Sequence, residues 1–171
     1  MAKTYVPIAT QTLGSNAASI VFSSIPATYT DLVLACSMLS ANTAGGRYIQ
    51  IQVGNGSVDT ATNYSQTQLR GNGTTADSGR QTSVTEVYFN VTGAYFQSGT
   101  VPFIGKAHFM NYSNTTTDKS ILLRSDQAEW STSVTAGLWR STSAINTIKV
   151  FLSADNFAIG TTFTLYGILA A

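Results

Sequence analysis

Apolar and polar residues alternate with a period of two through much of the chain, the signature of half-buried strands. Arg47–Val53 (RYIQIQV) sets Ile49, Ile51 and Val53 inward and Gln50 and Gln52 outward. Thr85–Val91 (TEVYFNV) sets Val87, Phe89 and Val91 against Glu86, Tyr88 and Asn90. Tyr29–Leu39 is apolar on both parities, with Leu32, Leu34, Cys36 and Met38 on one face and Val33, Ala35 and Leu39 on the other. Such a strand is expected at the centre of a sheet or covered on both sides. The last third, Ser133–Leu169, reads as three strands: Val134–Arg140, Ile145–Leu152 and Thr161–Leu169. In the final one Thr161, Phe163, Leu165, Gly167 and Leu169 form the more apolar face.

The remaining segments fill in an all-β pattern. Thr4–Leu13 holds Pro7, which places it at a sheet edge or a strand start. It is expected to form a hairpin with Ala18–Ile25 across the turn Gly14-Ser15-Asn16. Phe103–Tyr112 and Lys119–Ser125 flank an Asn/Thr-rich turn and read as a second hairpin, and Asp126–Ser131 as a connection or one helical turn. Gly54–Ser83 is expected to be exposed loop around one strand, Tyr64–Arg70, and Thr92–Pro102 a second loop. About ten short strands between turn signals, with no helical period, predict one all-β domain over 1–171, an antiparallel, jelly-roll-like β-sandwich.

Composition agrees. Charged residues make up 10% of the chain, against roughly 25% in an ordinary soluble domain. Ser, Thr, Asn, Gln and Gly must therefore supply the polar surface, and these suit strands and turns. Net charge is +1 with the bases scattered from Lys3 to Lys149. No phosphate-tracking stripe results, which argues against nucleic acid as a partner. So weakly charged a surface points to partial cover by other subunits. Cys36 is the one cysteine, so no internal disulfide forms, and its apolar neighbours predict a buried thiol. The N-terminus lacks the apolar core of a secretion signal, and no run reaches membrane-spanning length.

Little chemistry is visible. His108 is the single histidine, and no spacing of His, Cys or carboxylates supplies a metal site. No GxSxG elbow marks a nucleophile. Asp126 and Glu129, beside Trp130, are the one arrangement resembling a sugar-binding acid pair; the plainer reading is a turn with a buried Trp and two solvated acids. No catalytic, cofactor-binding or metal-ligating residue is assigned. Tyr64, Tyr95, Phe96 and Trp130 lie in or near polar loops, where they either anchor a partner or fold back onto the core. With Tyr5, Arg70 and Arg80 they are the candidate partner contacts.

Three blocks carry a family resemblance: ATQTLGSNAASIVFSSIPATYTDLVL, NYSNTTTDKSILLRS and GLWRSTSAINTIKVFLSADNFAIGTTFTLYGIL. Together they resemble small virion proteins of tailed bacteriophages of aquatic bacteria and cyanobacteria. The resemblance covers most of the chain and fades between Gly54 and Ala107. It implies a non-enzymatic module of the virion surface, assembled in the bacterial host cytoplasm, where one reduced cysteine is at home. The role it implies is capsid decoration or cement, with major capsid or tail proteins as partners and a homo-oligomer, such as a trimer, as the state. The alternative it implies is a tail-fibre or receptor-binding module that recognises host cell-surface glycans. The contacts expected are the segment before Ala9 and the loops Gly54–Ser83 and Thr92–Pro102.

Overall fold

The computed structural model describes residues 4–42, 46–90 and 100–169. Thirteen strands are described: β1 Tyr5–Thr12, β2 Ser19–Phe22, β3 Asp31–Met38, β4 Ile49–Asn55, β5 Ser57–Val58, β6 Tyr64–Gly71, β7 Ala76–Val84, β8 Val87–Tyr88, β9 Phe103–Phe109, β10 Lys119–Gln127, β11 Ser131–Trp139, β12 Thr147–Leu152 and β13 Thr162–Ile168. They form two antiparallel sheets. The large one has the order β1-β13-β3-β9-β10-β11-β6-β7; the small one runs β2-β12-β4-β5, with β8 also pairing β4. The chain crosses repeatedly between the sheets and the fold is the antiparallel β-sandwich that the alternation predicts.

The core lies between the sheets. Ile20, Phe22, Ile49, Ile51, Val53, Ile148 and Val150 of the small sheet share one buried cluster with Leu32, Leu34, Met38, Phe109, Ile121, Leu123, Phe163 and Leu165 of the large one. β3 lies between β13 and β9, and Val33 on its other face is buried too, as its two apolar parities require. Cys36 is a buried free thiol, and burial raises its pKa far above the usual range. Phe103–Phe109 and Lys119–Gln127 do pair as a hairpin. The turn between them is set by Asn114, whose Oδ1 accepts the N–H of Thr116 at 2.6 Å and of Thr117 at 3.0 Å.

Three expectations are corrected. β1 and β2 are not a hairpin: β1 pairs β13 in the large sheet and β2 pairs β12 in the small one. Long-range pairing wins there because β13 offers β1 a seven-residue partner register. The three strands expected in the last third are present as β11, β12 and β13, with β12 in the small sheet and β11 and β13 apart in the large one. Gln50 and Gln52 are buried, not outward. A strap, Thr85–Tyr88, covers them: Gln50 Nε2 donates to Glu86 Oε1 at 3.1 Å and Gln52 Nε2 to the Thr85 carbonyl at 3.1 Å. Gly54–Ser83 holds β5, β6 and β7 rather than mostly loop. β6 and β7 form a hairpin whose turn repeats the asparagine device, Asn72 Oδ1 accepting from Thr74 N at 3.1 Å and Thr75 N at 2.8 Å.

Candidate functional site

In a strand covered on one face only, alternate residues must point to solvent. On β9, β10, β11 and β6 those residues are Ile104, Lys106, Leu122, Arg124, Val134, Ala136, Thr67 and Leu69. Register places them in rows. Lys106 stands opposite Arg124, Arg124 opposite Val134, and Val134 opposite Leu69. One row along, His108 faces Leu122 and Leu122 faces Ala136. Ile104, Leu122, Val134 and Leu69 are between 44% and 62% exposed. The outer face therefore presents an apolar strip beside two cations that directly oppose each other. Like charges facing across a sheet are destabilising; the Arg124 Nε bond to Asp126 Oδ2 at 3.1 Å offsets part of that here.

At one end of this face, the turns after β6 and β10 enclose a shallow cleft of about 350 Å³ lined by Asn72, Asp126, Gln127, Glu129, Trp130 and Thr132. Trp130 is 41% exposed, so the buried Trp expected there is corrected. The tight turn 128–130 holds the ring out, with the Trp130 N–H donating to the Gln127 carbonyl at 2.9 Å. Asp126 is engaged by Thr132 Oγ1 as well as by Arg124.

The opposite end is locked rather than open. Asp59 accepts from Trp139 Nε1 at 2.8 Å, Asn63 Nδ2 at 2.8 Å and Ala61 N at 2.8 Å. Burial pushes its carboxyl upward, but these donors outweigh it and hold Asp59 below the ordinary carboxylate value. Tyr64 Oη donates to the carbonyls of Val53 and Asp59, at 2.9 and 3.0 Å, and accepts the Val53 N–H at 3.1 Å. Arg140 Nη2 reaches the Thr62 carbonyl at 2.8 Å. Lys119, only 1% exposed, points its ammonium at the carbonyls of Thr117, Ser141 and Thr142. Its desolvation lowers its pKa. The ammonium is held by these carbonyls rather than by a salt bridge to the adjacent Asp118, and it ties the β9–β10 turn to the one after β11.

The sequence candidates are dispersed. Tyr5 is exposed on edge strand β1 and packs edge-on against Tyr166, ring centroids 6.1 Å apart. Arg80 is exposed on β7 opposite Thr67. Trp130 lines the cleft. Tyr64, at 0% exposure, is core, and Arg70, at 8%, is buried with its guanidinium on Asp77, so neither is a surface contact. Both lie at inward positions of β6. Tyr95 and Phe96 lie outside the described residues, as do Met1–Lys3 and residues 92–99 of the second expected loop. The apolar strip was missed, although three consecutive apolar residues, Ile121, Leu122 and Leu123, cannot all face inward in a strand.

Among the described residues no three His, Cys, Asp or Glu side chains converge as a metal would require, and no helix is long and apolar enough to cross a membrane. No family model matches the chain and no curated protein matches it. Among solved structures it is similar to CG-16, a homodimeric agglutinin from chicken liver, at 13% identity and TM-score 0.34, over 85% of this chain and 98% of that one. Neither figure reaches the level from which relationship or function follows.

Proposed function

We propose that the protein is a non-enzymatic structural component of a bacteriophage virion surface, a capsid decoration or cement protein that stabilises the particle through inter-subunit contacts. The observation that carries this is the outer face of the large sheet, where Leu69, Leu122, Val134 and Ile104 stay exposed beside Lys106 and Arg124. A monomer gains nothing from an apolar strip in water, whereas burying it against a neighbouring shell subunit removes that surface from solvent. An acidic patch on the neighbour would relieve the facing cations as well. Binding only to the assembled shell then stabilises the shell by mass action. The viral setting comes from the three sequence blocks. Major capsid or tail proteins are the partners, and the protein goes from host cytoplasm to virion. The test is to strip the protein from particles and add it back. Wild-type protein should raise the disassembly temperature by several degrees, and a Leu122→Asp/Val134→Asp variant should not. Equal stability of bare and coated particles would sink the cement role.

The Trp130 cleft favours a second reading, a tail-fibre or receptor-binding module for host glycans. An exposed indole beside carboxylates and an amide is the usual way to hold a sugar ring: a flat apolar face with polar groups at its rim. On a glycan array, binding that disappears with Trp130→Ala would establish this reading, and an array with no signal would remove it.

A further inference from the structure

The two edges of the large sheet are built differently. β1 carries Pro7, which has no N–H, and its register with β13 shifts between Pro7 and Ala9. Both features keep an edge from recruiting a further strand. β7 has no proline, is exposed from Ala76 to Ser83, and pairs in regular register from Ala76 to Thr82. Only Ser83, at φ 55°, is bulged.

The bonding pattern tells which backbone groups of β7 are free. Arg140 donates its N–H to the Asn63 carbonyl, one step beyond the Trp139–Tyr64 pair. Bonded and non-bonded pairs alternate in an antiparallel ladder. Ser65, Thr67 and Leu69 therefore bond toward β11, and Gln66, Gln68 and Arg70 toward β7. Their partners Gln81, Gly79 and Asp77 are engaged, so the N–H and C=O groups of Ala76, Ser78, Arg80 and Thr82 point away from the sheet.

We propose that this edge docks the β7 strand of a second copy, antiparallel, about a two-fold axis through Gly79. The regular run Ala76–Thr82 is symmetric about Gly79. Self-pairing there sets Ser78 opposite Arg80 and Ala76 opposite Thr82, so all four outward residues are bonded in both copies. It ends at the Ser83 bulge on one side and the Asn72–Thr75 turn on the other. A two-fold axis normal to the sheet keeps each side chain on its own face, so the next permitted registers are centred on Asp77, Arg80's neighbour Gln81, or on the outward-bonding residues Ser78 and Arg80. The Arg80 register puts two guanidiniums directly opposite each other, those on Gln81 and Asp77 run into the bulge or the turn, and that on Ser78 sets Thr82 opposite Thr74 inside the turn. Gly79 falls where the two strands come closest, with open space where a Cβ would be. The side chains of β7 are small or polar, so main-chain bonds carry the contact. Joined this way, the apolar strips of two copies lie on one face of a continuous sheet. The contact is isologous and closes at two copies, which gives the expected homo-oligomer the form of a dimer. It rests on the edge geometry and stands independently of the virion reading.

Sedimentation over a concentration series should show a monomer–dimer equilibrium. Ser78→Pro, which removes one outward N–H and no ladder bond to β6, should weaken it at least about tenfold with an unchanged circular dichroism spectrum. Gly79→Cys should give a disulfide-linked dimer on mild oxidation, because a non-bonded antiparallel pair has its Cα atoms about 4.5 Å apart, within disulfide range. Cys36 is buried and does not compete, and Gly14→Cys, at an exposed site with open space around it, measures random collision. A wild-type chain that stays monomeric overturns the proposal, as does a dimer indifferent to Ser78→Pro. Gly79→Cys cross-linking no faster than Gly14→Cys overturns it too, and decides the matter if Ser78→Pro does not fold.

Discussion

Trp139→Ala is expected to lower the unfolding free energy by about 4 kcal/mol, the usual cost of emptying a buried aromatic site. Trp139 is 3% exposed at the end of β11, and its indole N–H is one of three donors on Asp59. The variant loses the ring from the core and leaves the Asp59 hub short of a donor, so the segment Gly54–Asn63 loosens with it. Since a domain has only about 5–15 kcal/mol to lose, the urea midpoint should fall steeply. A soluble variant with a wild-type midpoint that fails to bind a partner would show that Trp139 serves a site instead. Trp139→Phe isolates the hydrogen bond. The folded pKa of Asp59 is depressed, so its carboxylate contributes stability above the ordinary unfolded value of about 3.9 and loses it as pH falls through the folded value. Wild type should therefore exceed Trp139→Phe near neutral pH, and the gap should narrow, down to the pH-independent loss of ring packing, as titration proceeds to about pH 2. A gap independent of pH would mean that the bond to Asp59 is idle.

Lys119→Met should cost about 2–3 kcal/mol, although the new side chain keeps the length and most of the volume of the old. The ammonium sits against three main-chain carbonyls, those of Thr117, Ser141 and Thr142. Removing it takes away a charged donor from three carbonyls in part-buried bonds, and hydrogen bonds to a charged group are worth more than neutral ones. Because its partners are carbonyl dipoles and not a carboxylate, the loss should persist in high salt, where a surface ion pair would be screened. A loss that vanishes with added salt would mean that Lys119 acts through a surface charge pair with the adjacent Asp118 instead. Lys119 stands beside Trp139 across the β10–β11 ladder, where the segment GLWRSTSAIN begins. The block is a corner, with Ser141 Oγ accepting the Ser143 N–H at 3.2 Å and Arg140 bridging to the start of β6.

Period-two alternation determined by itself that this chain is an antiparallel sandwich, because a residue's face in a strand depends only on its parity. It also determined that β3 is central, that Pro7 marks an edge, and that Cys36 is buried. These are properties of short windows. The partners of β1 and β2, the burial of Gln50 and Gln52 under the strap, and the fates of Tyr64, Arg70 and Lys119 were decided by the tertiary structure. For β1, β2, Gln50, Gln52 and Lys119 a group tens of residues away supplies the partner, while Tyr64 and Arg70 bond to Val53, Asp59 and Asp77 close by in sequence but are turned inward by where β6 sits in the sheet. The candidate surfaces divide the same way. Trp130 was legible as an aromatic in a polar turn. The strip of Leu69, Leu122 and Val134, and the open edge of β7, exist only once the β6–β7 and β10–β11 hairpins, distant from each other in sequence, are set side by side and the sheet has an end.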